Sequence, residues 1–118
     1  MKLTISTAPA LSEAQIQRLI TDYLTLRGVV FSVTDAARIW DRHGRVRRGK
    51  VATGWPDITC CVKGKNGCEG RFVAFEVKSK TGRLRPEQKA CHEALRAAGG
   101  VVEVVRSLDE VIETLERI

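Results

Sequence analysis

The stretch VAFEVKSK, Val73 to Lys80, decides how the rest of the chain is read. Its β-branched and aromatic residues favour a strand. Side chains in a strand alternate between faces, so residues two apart share a side at a spacing of about 6.6 Å. Val73, Phe75 and Val77 then form one apolar face, and Ala74, Glu76 and Lys78 form the other. An acid and a base therefore sit side by side on a strand with the composition of a half-buried or wholly buried one.

The neighbouring sequence supplies a partner strand. KGKNGCEGR (63–71) carries Asn-Gly and further glycine, a hairpin signal. It joins DITCCV (57–62) to the strand predicted over 71–80, and GWPD (54–57) is the turn that feeds the hairpin. Antiparallel neighbours lie about 4.8 Å apart, so Asp57, Glu76 and Lys78 can meet on one face. Paired carboxylates suit a hard divalent cation, which takes oxygen ligands. Such an ion cancels their mutual repulsion and can polarise a phosphate or acidify a bound water. A lysine beside them supplies a point charge for that water and for the transition state. The plain alternative is a salt-bridge ladder on an exposed sheet, which contributes little.

The remaining segments build a small layered fold around this hairpin. Ser12 with Gln15 forms a capping-box pattern. Ile16, Leu19, Ile20, Tyr23 and Leu24 follow as one buried helical face, and Gly28 ends the helix. VVFSV (29–33) reads as a first strand. After the central strand, TGRLRPEQ leads into a helix with Pro86 near its first position. That helix is expected to bury Cys91, Ala94, Leu95 and Ala98 and to stop at Gly99-Gly100. VVEVV (101–105) makes a fourth strand. Ser107 with Glu110 forms a second capping box before a final helix carrying Leu108, Val111, Ile112 and Leu115. The expected fold is α/β, in the order α-β-β-β-α-β-α. It is a small mixed β-sheet of about four strands flanked by helices, one domain spanning residues 1–118.

Thr34 to Thr53 is the least regular part and reads as an exposed loop or a mobile strand pair. It holds DRHGRVRRGK, with Arg42, Arg45, Arg47, Arg48 and Lys50, and no acid lies between Asp41 and Asp57. The whole chain carries a net charge of +6 and a sequence pI of about 9.5, a balance that favours nucleic acid over a membrane surface as partner. No apolar run approaches the ~18 residues of a membrane span. LTIST is too short and polar for the core of a secretory signal, so an intracellular protein is expected. Cys60, Cys61, Cys68 and Cys91 would then be reduced. With Cys91-His92 they include no C-x₂-C pair, so neither zinc nor a disulfide is expected. His43 reads as a solvated side chain, and Trp40 and Trp55 as packing residues. Trp55, beside Asp57, is the better candidate for a ligand contact.

Taken in order, Glu13 with a following Gln, Gly54-x-Pro56-Asp57, Glu76-x-Lys78, Gln88, and glycine before a valine-rich strand form a pattern. It resembles the VRR-NUC (virus-type replication-repair nuclease) branch of the PD-(D/E)xK nuclease superfamily, over most of the chain from Glu13 to about Val105. The resemblance implies a restriction-endonuclease-like core and a DNA endonuclease that uses Mg²⁺ or Mn²⁺. Matched residue by residue, it implies Asp57 and Glu76 as metal-binding carboxylates, the Val77 carbonyl as a further ligand and Lys78 as the catalytic lysine. Glu13 would add an acid to the metal shell, directly or through water, and Gln88 would support the site or the substrate. Helical spacing agrees: Glu13 shares a stripe with Ile16 and Ile20, and Gln88 shares one with Cys91 and Leu95. Glu13 can equally be read as an acid favouring a helix N-terminus, and Gln88 as an ordinary bonded amide. Phosphate contacts are expected from Arg45, Arg47, Arg48 and Lys50 and from Lys80, Arg83 and Arg85.

The family further implies a homodimer cutting branched DNA such as a four-way junction, in DNA repair, in the cytoplasm of a bacterial or phage-infected cell. Strand 29–33 and the first helix are the expected suppliers of the dimer contact. A basic nucleic-acid-binding module with weak or no chemistry is the competing class, and an enzyme acting on RNA is a third.

Overall fold

The computed structural model describes residues 9–34, 38–40, 43, 46–48, 52–67 and 69–118. Helix α1 (Glu13–Leu26) starts at the expected capping box: Ser12 Oγ accepts from the Gln15 N–H and Gln15 Oε1 accepts from the Ser12 N–H. It is followed by β1 (Val30–Val33), a hairpin of β2 (Arg38–Trp40) and β3 (Val46–Arg48), then β4 (Ile58–Lys63) and β5 (Gly70–Val77). The chain closes with α2 (Pro86–Ala97), β6 (Val101–Val105) and α3 (Leu108–Arg117). The main sheet has the order β1-β4-β5-β6 and β2-β3 form a separate two-stranded sheet. With that small hairpin set apart, the elements come in the order α-β-β-β-α-β-α. The Thr34–Thr53 segment therefore contributes a strand pair.

The hairpin 63–71 joins β4 and β5 in antiparallel register, Ile58 opposite Phe75 and Thr59 opposite Ala74. The crossover through α2 makes β6 parallel to β5. β5 therefore has neighbours on both edges and helices on both faces, and Val73 to Lys78 are all buried. Val73, Phe75 and Val77 pack with Ile16, Ile20 and Leu24 of α1 and with Val105 and Val111 in the main core. The Glu76 face lies under α2, whose His92 contacts Glu76.

Four local expectations need correcting. In α1 the buried line is Ile16, Ile20 and Leu24, with Tyr23 partly buried against the core, while Leu19 is 43% exposed; Leu19 sits beside that line and borders an open groove with Leu11 and Leu108. In α2, Ala94 and Ala98 are exposed and Cys91 and Leu95 half-buried, whereas His92 is fully buried. The packed stripe runs through Gln88, His92 and Leu95, one position round from the assignment based on apolar residues alone. The second capping box is half-formed: Ser107 Oγ accepts from the Glu110 N–H, but the Glu110 carboxylate takes the Arg106 N–H instead of that of Ser107.

β5 also ends at Val77, earlier than Lys80. The Lys78 N–H still reaches the Val105 carbonyl at 3.0 Å. Beyond it Arg106 donates from Nη1 to the carbonyls of Ser79 and Gly82, drawing the chain into a turn. No helix among the described residues is long and apolar enough to cross a membrane.

Candidate active site

Asp57 stands one residue before β4, and continuing the register places it opposite Glu76. At that point the β4 backbone no longer faces β5, and the Asp57 side chain replaces it: Oδ2 accepts from the Val77 N–H at 2.7 Å. The N–H and C=O of one strand residue point to the same side, so the Val77 carbonyl also faces the Asp57 edge. The turn that delivers Asp57 is pinned from several directions. The Thr34 N–H bonds the Asp57 carbonyl at 2.7 Å and Thr34 Oγ1 donates to the Pro56 carbonyl at 2.6 Å. Trp55 Nε1 donates to Thr59 Oγ1, and its ring meets Phe72 edge-on with centroids 6.1 Å apart. Gly54 has φ +81°, and a Cβ there would fall 2.2 Å from the Glu87 carbonyl oxygen. The turn thus seats directly on the first turn of α2, and only glycine permits that approach.

Glu76 is the centre of the arrangement. Lys78 Nζ lies 3.9 Å from its Oε2, Gln88 Nε2 donates to the same oxygen at 3.4 Å, and His92 Nε2 is 3.2 Å from Oε1. Burial raises the Glu76 carboxyl to about 9, helped by a hydrogen bond to Asp57 and by the Asp57 charge; Lys78 opposes the shift and Glu13 adds slightly to it. Facing Asp57 in this buried setting, the Glu76 carboxyl is thus biased towards its protonated form when no cation is bound. Burial lowers the affinity of His92 for a proton, with the Arg96 and Lys78 charges acting in the same direction, so its ring stays neutral.

Gln88 reaches Glu76 in a defined orientation. Its Oε1 accepts the Arg85 N–H at the start of α2, at 2.9 Å, which leaves the amide nitrogen to face Glu76. Glu13, first residue of α1, is exposed and close enough for its charge to act on Glu76. It has space because Gly82 lacks a side chain: a Cβ there would come 3.1 Å from Glu13 Oε1.

The structure brings Asp57, Glu76, Val77, Lys78 and Gln88 together, with Glu13 at their margin. Lys80, Arg83 and Arg85 are exposed along the connection that leads from Lys78 to Gln88. Arg47 and Arg48 lie on β3, whereas Arg45 and Lys50 lie outside the described residues. Cys60, Cys61 and Cys91 are free thiols, with Cys60 raised to about 11 by burial, and Cys68 lies outside the described residues. His92 is the residue that sequence reasoning passed over as part of this cluster. Its spacing of four from Gln88 was the available signal, since residues i and i+4 of a helix share a face.

The donor set fits a hard cation. It consists of carboxylate and carbonyl oxygens, and the buried Glu76 carboxyl, facing Asp57, ionises only with difficulty unless positive charge is supplied nearby. Among the described residues no three His, Cys, Asp or Glu side chains close around a point as they stand, so the fit rests on Asp57 and Glu76 with the Val77 carbonyl. A pH experiment reads this directly. Without metal, folded Glu76 keeps its proton up to about 9 while the unfolded chain releases it near the ordinary 4.5. The folded state binds more protons in that window, so stability falls as pH rises from 4.5 towards 9. Unfolding in chelator across this range should show Glu76→Gln with a flatter pH dependence than the native chain and higher stability at alkaline pH. Parallel slopes for the two proteins would contradict the raised Glu76 carboxyl.

Residues 11–109 match the family described as the VRR-NUC domain. No curated protein and no solved structure matches the chain significantly.

Proposed function

The chain belongs to the VRR-NUC domain family and is thereby a nuclease-type protein with a nucleic-acid substrate, and from this premise we propose that it is a DNA endonuclease dependent on Mg²⁺ or Mn²⁺. The observation that carries the reading is Asp57 facing Glu76 across the hairpin, with Lys78 Nζ 3.9 Å from the Glu76 carboxylate. Asp57, Glu76 and the Val77 carbonyl would hold the ion, with Glu13 joining directly or through water. When bound, such an ion neutralises the acids and polarises the scissile phosphate. Lys78 orients the attacking water and offsets charge that develops on the phosphate oxygens. Gln88 holds the Glu76 carboxylate from the α2 side. Lys80, Arg83 and Arg85, exposed after the central strand, would hold phosphates flanking the scissile one, and Arg47 and Arg48 of β3 are proposed as further contacts. A module that only binds nucleic acid would gain nothing from two acids beside a phosphate.

We further propose a homodimer acting on branched DNA. Paired cuts on two strands need two sites related by two-fold symmetry, and the described residues of this chain form one. Leu26 and Val30, at the end of α1 and the start of β1, are 87% and 72% exposed, and β1 is an edge strand. These features support a contact through α1 and β1. The test is cleavage of linear, flapped and four-way DNA and of an RNA duplex, with and without Mn²⁺, alongside light scattering. Metal-dependent cutting that prefers the four-way substrate, by a dimer, is expected. A strict monomer that cuts linear duplex equally well would remove the junction reading, and cutting of RNA alone would remove the DNA assignment.

A further inference from the structure

The two oxygens of Glu76 meet different neighbours. Oε2 faces Lys78 and Gln88, while Oε1 points inward, to His92 Nε2 at 3.2 Å. His92 is 0% exposed, and its other ring nitrogen, Nδ1, is buried without a hydrogen-bond partner among the described residues. A buried polar atom left unpaired is destabilising, and an aliphatic side chain would fill the space between α2 and the sheet without it. The imidazole is thus poorly explained as packing and well explained by its contact with Glu76. That contact also selects the tautomer. With the proton on Nε2, only a lone pair is left unpaired at Nδ1; the other tautomer would bury an N–H with no acceptor.

We propose that His92 is a positioning residue, whose Nε2–H donates to Glu76 Oε1 and fixes the plane of the carboxylate facing Asp57. It touches neither nucleic acid nor metal. Gln88, one helical turn earlier, grips the second oxygen, and its own orientation is set by the Arg85 N–H. Two donors at i and i+4 on a rigid helix therefore hold both oxygens of one acid. Groups that orient a metal-ligating side chain in this way alter metal affinity without being ligands. The inference rests on the metal-dependent reading above and deepens it.

The test is Mn²⁺ binding to the full chain by titration calorimetry, with thermal unfolding in chelator as a separate measure of folding. His92→Leu exchanges the unpaired Nδ1 for an unpaired Glu76 Oε1 and should unfold near the native temperature, yet bind Mn²⁺ at least about tenfold more weakly. His92→Gln places an amide nitrogen where Nε2 lies and should keep affinity near the native value. His92→Asn reaches only to the position of Nδ1 and should resemble the leucine variant. Native Mn²⁺ affinity in His92→Leu, or equal affinities for the glutamine and asparagine variants, overturns the assignment while leaving the metal site standing. Failure of the native protein to bind Mn²⁺ removes both readings together. If the leucine variant does not fold, the comparison of glutamine with asparagine decides.

Discussion

Asp57→Asn and Glu76→Gln should each cut DNA at least about a thousandfold more slowly than the native chain, roughly 4 kcal/mol of transition-state stabilisation, while remaining folded. The amide variants are the informative ones here. The amide in Asp57→Asn retains an oxygen that can accept the Val77 N–H, which the native Oδ2 accepts at 2.7 Å, so the end of the hairpin keeps its cross-strand bond. The amide in Glu76→Gln retains an oxygen for His92 and replaces a carboxyl that burial and Asp57 already drive towards its neutral form. What both lose is negative charge, which is what a divalent cation requires. DNA binding should survive in each variant or tighten, because an acid beside a phosphate has been neutralised. Asp57→Asn should also move the Glu76 titration back down towards the ordinary carboxylate range, since the Asp57 bond and charge both raise it. Cleavage in EDTA at the full rate, or native rates in either variant, would sink the assignment of these acids to the metal.

The two acids were legible in the sequence because strand alternation and a hairpin turn are short-range signals. Asn66-Gly67 fixes which strands pair, and period-two alternation fixes which side chains share a face. Once Ile58 stands opposite Phe75, Asp57 opposite Glu76 follows without further information. The start of α1 was legible for the same reason, since a capping box is decided within four residues. His92 was not, because the pattern that locates a buried helical face counts apolar residues, and this face has a polar residue at its centre. Cys91 and two alanines pulled the predicted stripe away from it. The close seating of Gly54 on Glu87 also escaped sequence reading: it joins segments more than thirty residues apart, and no local rule connects them. A polar residue at the most buried position of α2 departs from the packing rule at the point where the candidate site needs a donor, a pattern expected of functional positions.

Lys78 should separate chemistry from metal binding. It lies at the end of the central strand, 7% exposed, with its backbone N–H bonded to the Val105 carbonyl. A side-chain substitution therefore leaves the strand pairing intact. Lys78→Met keeps the aliphatic stem and removes only the ammonium. The native Nζ is 3.9 Å from Glu76 Oε2, longer than the ~2.8 Å of a tight charged hydrogen bond, so the group is not locked into an ion pair. It is free to turn towards a phosphate or a water. The methionine variant should lose about 10²–10³-fold in kcat, the scale seen when one donor to a developing oxyanion is removed. Lys78→Arg should not restore it, because a wide guanidinium does not fit the buried place of a compact ammonium. One side effect has a definite sign. Lys78 lowers the proton affinity of Glu76, so without it the proton on Glu76 competes more strongly with Mn²⁺ at neutral pH. Metal affinity should fall modestly at pH 7 and recover as the pH is raised, whereas the loss in kcat at saturating Mn²⁺ should persist throughout. Recovery of kcat together with affinity at alkaline pH would mean that Lys78 serves only to keep Glu76 ionised, and that its place beside the acid is structural.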